Sequence, residues 1–280
     1  PCRKCHPDDF ARGADPVLAD IETLVGEIRA TPEKFTDARA VVRRSGFGTT
    51  RLFELLRQHY HATPADLLVR ARLEQAKRRL LSGDDGLVAI AGETGFESLS
   101  VLHEHFRRST GLTPAQYRGL RDSRSFTLRL PDDYPLEYLR RALTRDPHSL
   151  TERHDGERFT LGLRINHAPA VLTLALTPGQ VDVAVSGTSA PAAHTCITAL
   201  LGLEQDAAAF ARLARKLGLG RLVAGRPGLR LVQTPSLFDG LVWSIIGQQI
   251  NFPFACVLKR RLIERTGTRI ADGLYAPPTP

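Results

Sequence analysis

Thr94-Gly95-Phe96-Glu97-Ser98-Leu99-Ser100-Val101-Leu102-His103-Glu104-His105-Phe106 is the stretch that decides the fold, because it occurs twice. The earlier copy, about 50 residues upstream, is Ser45-Gly46-Phe47-Gly48-Thr49-Thr50-Arg51-Leu52-Phe53-Glu54-Leu55-Leu56. Each copy runs on into a Thr-Pro-Ala, at Thr63-Pro64-Ala65 and at Thr113-Pro114-Ala115. A glycine early in each copy lies in a short turn between two helices, where a positive φ lets the chain bend sharply. Thr49 or Thr50 in the first copy, and Ser98 in the second, are placed to cap the helix that follows. Thr113-Pro114-Ala115-Gln116 has the form of a capping box with Pro at the first helical position, and Thr63-Pro64-Ala65-Asp66 repeats it with an acid.

Between the copies, Pro64 to Ser82 reads as one helix ending at Gly83. Its length, about 28 Å at 1.5 Å per residue, approaches the roughly 34 Å repeat of DNA, so two readers could reach successive major grooves on one face. These residues resemble the AraC/XylS-type DNA-binding domain over roughly 20–121, linker helix included. The resemblance implies that the second helix of each copy enters a major groove. The readers would be Thr49, Thr50, Arg51, Glu54 and Arg57, with Ser98, Ser100, His103, Glu104 and Arg107 in the second copy. Arg pairs bidentately with guanine, whereas Ser and Thr more often fix phosphates. The competing reading of these polar residues is a solvated helix face. Leu52, Leu56, Leu102 and Phe106 read as core.

The surrounding composition fits this reading without requiring it. The chain has 280 residues, a formal charge of +8, 42% hydrophobic and 24% charged residues, enough for two or three domains with real cores. A pI near 9.7 favours anionic partners, but charge alone leaves nucleic acid and other anions about equally open. No apolar run reaches the roughly 20 residues that span a bilayer, and no signal-peptide pattern opens the chain, so no membrane association is expected. Four scattered cysteines, Cys2, Cys5, Cys196 and Cys256, point to a reducing cytosol rather than a disulfide framework. The chain opens on Pro1 and holds no methionine, as expected of an internal piece of a longer protein.

Upstream of the repeat stands Cys2-Arg3-Lys4-Cys5, the spacing with which two thiolates grip one tetrahedral zinc. Two ligands do not close a site, and a redox pair or chance spacing are alternatives. Its place just before an AraC-type domain resembles the end of the Ada-type zinc domain, in which four cysteines hold zinc and one accepts methyl groups from DNA phosphotriesters. The resemblance implies a half site for zinc at Cys2 and Cys5, with the other pair upstream of Pro1.

Downstream the period changes. Ser125–Leu130, Phe159–Ile165, Ala170–Leu176 and Val181–Val185 are short, β-branched and partly alternating, and read as strands. Thr177-Pro178-Gly179-Gln180 sets Pro and Gly at the centre of a type II turn, joining the last two as a hairpin. Helical patterns return at about 192–203, 206–217, 235–250 and 254–266. Leu130-Pro131, Tyr134-Pro135, Arg226-Pro227-Gly228-Leu229-Arg230 and, above all, Ile246-Gly247-Gln248-Gln249-Ile250-Asn251 resemble the AlkA-type 3-methyladenine DNA glycosylases. That resemblance implies that Gln248, Gln249 and Ile250 face the minor groove and fill the gap left by a flipped nucleotide. The alternative is that the two glutamines only end a helix. Cleaving the N-glycosidic bond calls for a carboxylate beside the developing positive charge, and no metal or cofactor. The resemblance implies that the family's Gly-rich hairpin and catalytic Asp would fall downstream of Pro280, and Asp239 and Asp272 do not fall in their context. No catalytic residue is therefore assigned, and the chain is expected to bind DNA without releasing bases.

The expected fold is multidomain. An end of a zinc domain (1–14) precedes an all-α double helix-turn-helix (15–122) and an α+β domain of antiparallel sheet plus helices (123–231). The first helices of an all-α helix-hairpin-helix glycosylase domain follow (232–280). The expected function couples promoter binding in the alkylation response to excision of alkylated bases such as 3-methyladenine; a regulator without glycosylase activity is the alternative. A sugar-responsive AraC-type activator fits less well, because the region after 122 lacks a long β-barrel pattern. Double-stranded DNA is the expected partner, RNA polymerase a candidate one, and the chain is expected to be a monomer at the bacterial nucleoid in the cytoplasm.

Overall fold

The computed structural model describes residues 16–271 and 273–279. The chain divides into two compact units, one through His105 and one from Phe106 onward.

The first unit is helical: α1 (Pro16–Ala30), α2 (Ala38–Ser45), α3 (Thr49–Tyr60), α4 (Pro64–Ser82), α5 (Leu87–Glu93) and the start of α6 (Leu99–Thr110). Its core is built from one face of each amphipathic helix, with Ile21, Ile28, Val41, Leu52 and Leu56 wholly shielded from solvent. The bounds of α4 are those the sequence predicts. At its start Thr63 Oγ1 accepts the Asp66 amide while the Asp66 carboxylate accepts the Thr63 amide, so two orphan donors of the first turn are satisfied. Thr113 and Gln116 repeat the device at α7 (Pro114–Gly119). Gly46 and Gly95, in the turns that open α3 and α6, have φ of 70° and 84°, the left-handed backbone the sequence requires there.

The second unit holds a five-stranded antiparallel sheet in the order β1-β5-β4-β3-β2. The strands are β1 (Ser125–Arg129), β2 (Glu152–Asp155), β3 (Arg158–Ile165), β4 (Ala168–Thr177) and β5 (Gln180–Ser186). The expected turn at Pro178-Gly179 closes the β4–β5 hairpin, with Thr177 paired to Gln180. Alternation is strict on β4, where Ala170, Leu172, Leu174 and Leu176 are buried, as in a sheet with one core face. α8 (Leu136–Leu143), α9 (Ala190–Leu200) and α10 (Ala207–Lys216) accompany the sheet. α11 (Leu237–Ile246), α12 (Phe252–Thr266) and a small hairpin of β6 (Thr268–Ala271) and β7 (Leu274–Ala276) complete the unit.

The division falls inside α6, and the packing of its last turn explains why. Phe106 meets the Tyr117 ring edge-on at 5.3 Å, and Tyr117 in turn meets His194 of α9 at 5.1 Å. His194, 1% exposed, places Nε2 2.7 Å from the Thr110 carbonyl oxygen and lies 5.6 Å from Phe126 of β1. The last turn of α6 is thus held within the second unit by rings and a buried hydrogen bond.

Candidate nucleic-acid interface

α3 and α6 each have a buried stripe and a polar one. On α3, Leu52, Leu55 and Leu56 are buried, which forces Thr49, Thr50, Arg51, Glu54 and Arg57 outward, and all five are exposed. Arg51 and Glu54 approach to 3.7 Å with about 60% of each side chain exposed, a pair too weak to hold either group back from a base edge. On α6, Leu102 and Phe106 are buried, Ser98, Ser100, Glu104 and Arg107 are exposed, and His103 is half-buried. Ser100, His103 and Arg107 follow at helical spacing and share one stripe.

The capping expectation is half right. Ser98 Oγ accepts the Val101 amide at 3.3 Å. In the first copy neither Thr49 nor Thr50 caps: Gly48 occupies the N-cap in extended conformation without a side-chain bond, and the threonines begin the helix itself. Their place in the first turn leaves the hydroxyls at the end of α3 that would enter a groove.

Repeat-finding misses Arg72, the polar anchor of this unit. It stands on the buried stripe of α4, four residues after Leu68 and four before Ala76, and only 8% of it is exposed. Nη2 donates to the carbonyl oxygens of Phe35 at 2.6 Å and Thr36 at 3.0 Å, just before α2. Its guanidinium also lies against the turn at Gly95. Burial draws its pKa down, opposed by the nearby carboxylates of Glu97 and Asp37. The linker helix is therefore fastened at one residue to the segment before α2 and to the turn before α6. An arginine at i+4 from a buried Leu on an otherwise apolar stripe was the available signal.

In the second unit, the turn between α11 and α12 carries Gln248, Gln249 and Ile250. Both glutamines are exposed, and Gln249 has φ of 59°, a left-handed conformation that a residue with a Cβ adopts at a cost. Asn251 has a definite role, since its side-chain oxygen accepts the Phe254 amide at 3.0 Å as the N-cap of α12. Asp239 binds Ser236 Oγ at 2.6 Å in the first turn of α11, a capping arrangement that occupies its carboxylate. The two Pro-containing motifs meet: Arg230 lies 5.7 Å from the centre of the Tyr134 ring and 3.6 Å from Asp133. The Tyr134 hydroxyl donates to the Leu201 carbonyl at 2.8 Å, so these motifs serve the architecture.

Cys2, Cys5 and Asp272 lie outside the described residues. Among the described residues no group of three or more His, Cys, Asp or Glu side chains could hold a metal. Cys196 and Cys256 are buried, and burial pushes the Cys196 thiol up to about 11 and raises that of Cys256. No helix of the described residues is long and apolar enough to cross a membrane.

Comparison with known proteins finds relatives of two kinds. Residues 41–119 match the family described as a helix-turn-helix domain, a span that includes α3 and α6. The DNA-3-methyladenine glycosylase of Bacillus subtilis is 38% identical over 69 residues, 24% of this chain and 23% of the relative. The raffinose operon transcriptional regulatory protein RafR of Pediococcus pentosaceus is 33% identical over 67 residues, 24% of each chain. A 3-methyladenine DNA glycosylase structure from Archaeoglobus fulgidus aligns with 55% of this chain and 56% of its own, at 19% identity and a TM-score of 0.46. The chain spans about a quarter of the length of these two curated relatives. The chain therefore carries a segment that matches a helix-turn-helix domain, together with sequence similar to a DNA-3-methyladenine glycosylase.

Proposed function

We propose that this chain reads duplex DNA through α3 and α6 and belongs to a protein that couples control of the alkylation response to excision of alkylated bases such as 3-methyladenine. The observation that carries the reading is the pair of repeated helices, each with its apolar stripe wholly buried and its polar stripe turned outward, in a chain of charge +8. Thr49, Thr50, Arg51, Glu54 and Arg57 would meet one major groove, and Ser98, Ser100, His103, Glu104 and Arg107 the next. Gln248, Gln249 and Ile250 would enter the minor groove, and the strained backbone at Gln249 supports a functional turn over a simple helix end. Base excision itself is assigned to the protein as a whole. Within this chain Asp239 is committed to Ser236, which supports DNA binding without base release. Zinc would be held by Cys2 and Cys5 with two further thiolates, and would add phosphotriester sensing. RNA polymerase is the partner a promoter-bound monomer would meet at the nucleoid.

The test is selection of bound duplexes from a random pool. Two half-sites about one helical turn apart should be enriched. Substituting Arg51 and Arg57 should erase one half-site, and substituting Ser100 and Arg107 the other. Recovery of duplexes with no common motif would remove the regulatory reading.

A further inference from the structure

We propose that the second unit carries its own track for the phosphate backbone of duplex DNA, an arginine-lined groove that begins on the last turn of α6 and runs along α10. This rests on the DNA-reading function proposed above and extends it to a surface outside both helix-turn-helix copies.

Two adjoining open cavities of about 360 and 390 Å³ share Asp133, Ala207 and Ala208 as walls. Their linings bring together arginines that are far apart in sequence. Arg108 pairs with Asp206 at 3.4 Å and Arg230 with Asp133 at 3.6 Å, and these are the groove's two carboxylates. Arg107, Arg129, Arg212, Arg215 and Arg226 also line it, all exposed, and among the described residues no ion pair joins any of them to an acid. Five like charges gathered on one concave surface repel one another, and nothing in the local packing requires them, since the wall beside them is built from alanines of α10. A polyanion removes that repulsion. Guanidinium forks match phosphate oxygens bidentately, and groups spread over two adjoining open cavities suit a continuous backbone better than one small anion.

Arg107 indicates which polyanion. It closes the stripe that Ser100 and His103 begin on α6, and it is also the first wall of the groove. A duplex whose major groove receives α6 would present its flanking phosphates to the arginines that follow. Such contacts carry no base information, so they would add affinity and salt dependence without changing which sequence is read.

The experiment measures binding of random-sequence duplexes of three lengths, about 16, 26 and 40 base pairs, at salt between 50 and 200 mM. The variant R129Q/R212Q/R215Q/R226Q is compared with a control of equal charge, R141Q/R158Q/R265Q/R269Q, whose residues lie outside the groove. Each lost phosphate contact lowers the slope of log affinity against log salt by about 0.9. The groove variant should therefore be shallower by three to four, losing about 100-fold less affinity across that range. Its gain in affinity with duplex length should also vanish, while the motif selected from a random pool stays unchanged. The control should keep the parent slope. A groove variant with the parent's slope and length dependence overturns the inference and leaves the reading helices untouched. Failure of the parent chain to bind any duplex overturns the underlying function instead.

Discussion

Gly46 and Gly95 occupy equivalent turns with similar left-handed backbones but different surroundings, which permits a controlled measurement of how the reading module is fastened. A Cβ built on Gly46 meets nothing within 4 Å, whereas on Gly95 it meets Arg72 Nε at 3.0 Å, Nη2 at 3.2 Å and Cζ at 3.3 Å. Left-handed Ala costs roughly 1–2 kcal/mol, and the stiffer unfolded chain returns about 0.4–1, so Gly46→Ala should destabilise by about 1 kcal/mol. Gly95→Ala carries the same cost and also displaces the guanidinium. That movement lengthens the bonds to the Phe35 and Thr36 carbonyls, each worth about 1.5–3 kcal/mol because the donor is charged. Partial loss of both adds about 1–3 kcal/mol. With Met at position 72 the obstacle is gone, and Gly95→Ala should fall back to about 1 kcal/mol, giving a coupling of about 1–3 kcal/mol in the double-mutant cycle. The assay is native-state hydrogen exchange on peptides from α4 and α5, because a chain of two units has no single unfolding free energy. Equal costs for the two glycine substitutions, or a cycle that closes to zero, would refute the role given to Arg72.

Three further outcomes are expected. Thr63→Ala and Thr113→Ala each remove one half of a capping box and should cost about 1 kcal/mol, read as faster exchange in the first turns of α4 and α7, while Thr49→Ala should not change exchange in α3. The Cys196 thiol titrates near 11 in the fold against 9 when exposed, so its contribution is complete below pH 9 and lost as pH rises to 11. About 3 kcal/mol is at stake in the second unit, and Cys196→Ala should reduce the loss that begins at pH 9, leaving the share of Cys256, whose thiol is also raised; the half-buried Tyr134 phenol, raised as well, adds its own loss above pH 10. Gln249→Gly relieves the left-handed strain and should leave the fold as stable or up to about 1 kcal/mol more so, yet weaken binding to duplexes with an abasic gap. Unchanged gap binding would make the turn a helix end only.

Much of the fold is legible in the residues because local chemistry decides it. The helix bounds of α4 follow from Thr63, Pro64 and Gly83, and the sheet follows from alternation on β3, β4 and β5. Where the sequence reading starts a helix late, proline is the reason. The patterns at 192–203 and 254–266 open two residues earlier, at Ala190 and Phe252, because Pro191 and Pro253 sit in first turns, where the missing N–H costs nothing. The pattern at 235–250 ends early, at Ile246, because Gly247 caps it and Gln249 reverses its φ. β2 escapes notice because it is a polar edge strand with no alternation, and α8 because it is a single short amphipathic stretch. The reading faces were visible as a repeat. The arginine groove was not, since Arg107, Arg129, Arg212, Arg215 and Arg226 become neighbours only through the tertiary fold.

The most direct measurement is retention of methylated duplex DNA by this 280-residue chain at low and high salt, with released bases assayed from the same samples. Retention that weakens steeply with salt, without release of 3-methyladenine, is the expected result. No retention at low salt would contradict the DNA-reading assignment, and release of the base would show that a carboxylate within these residues performs the chemistry.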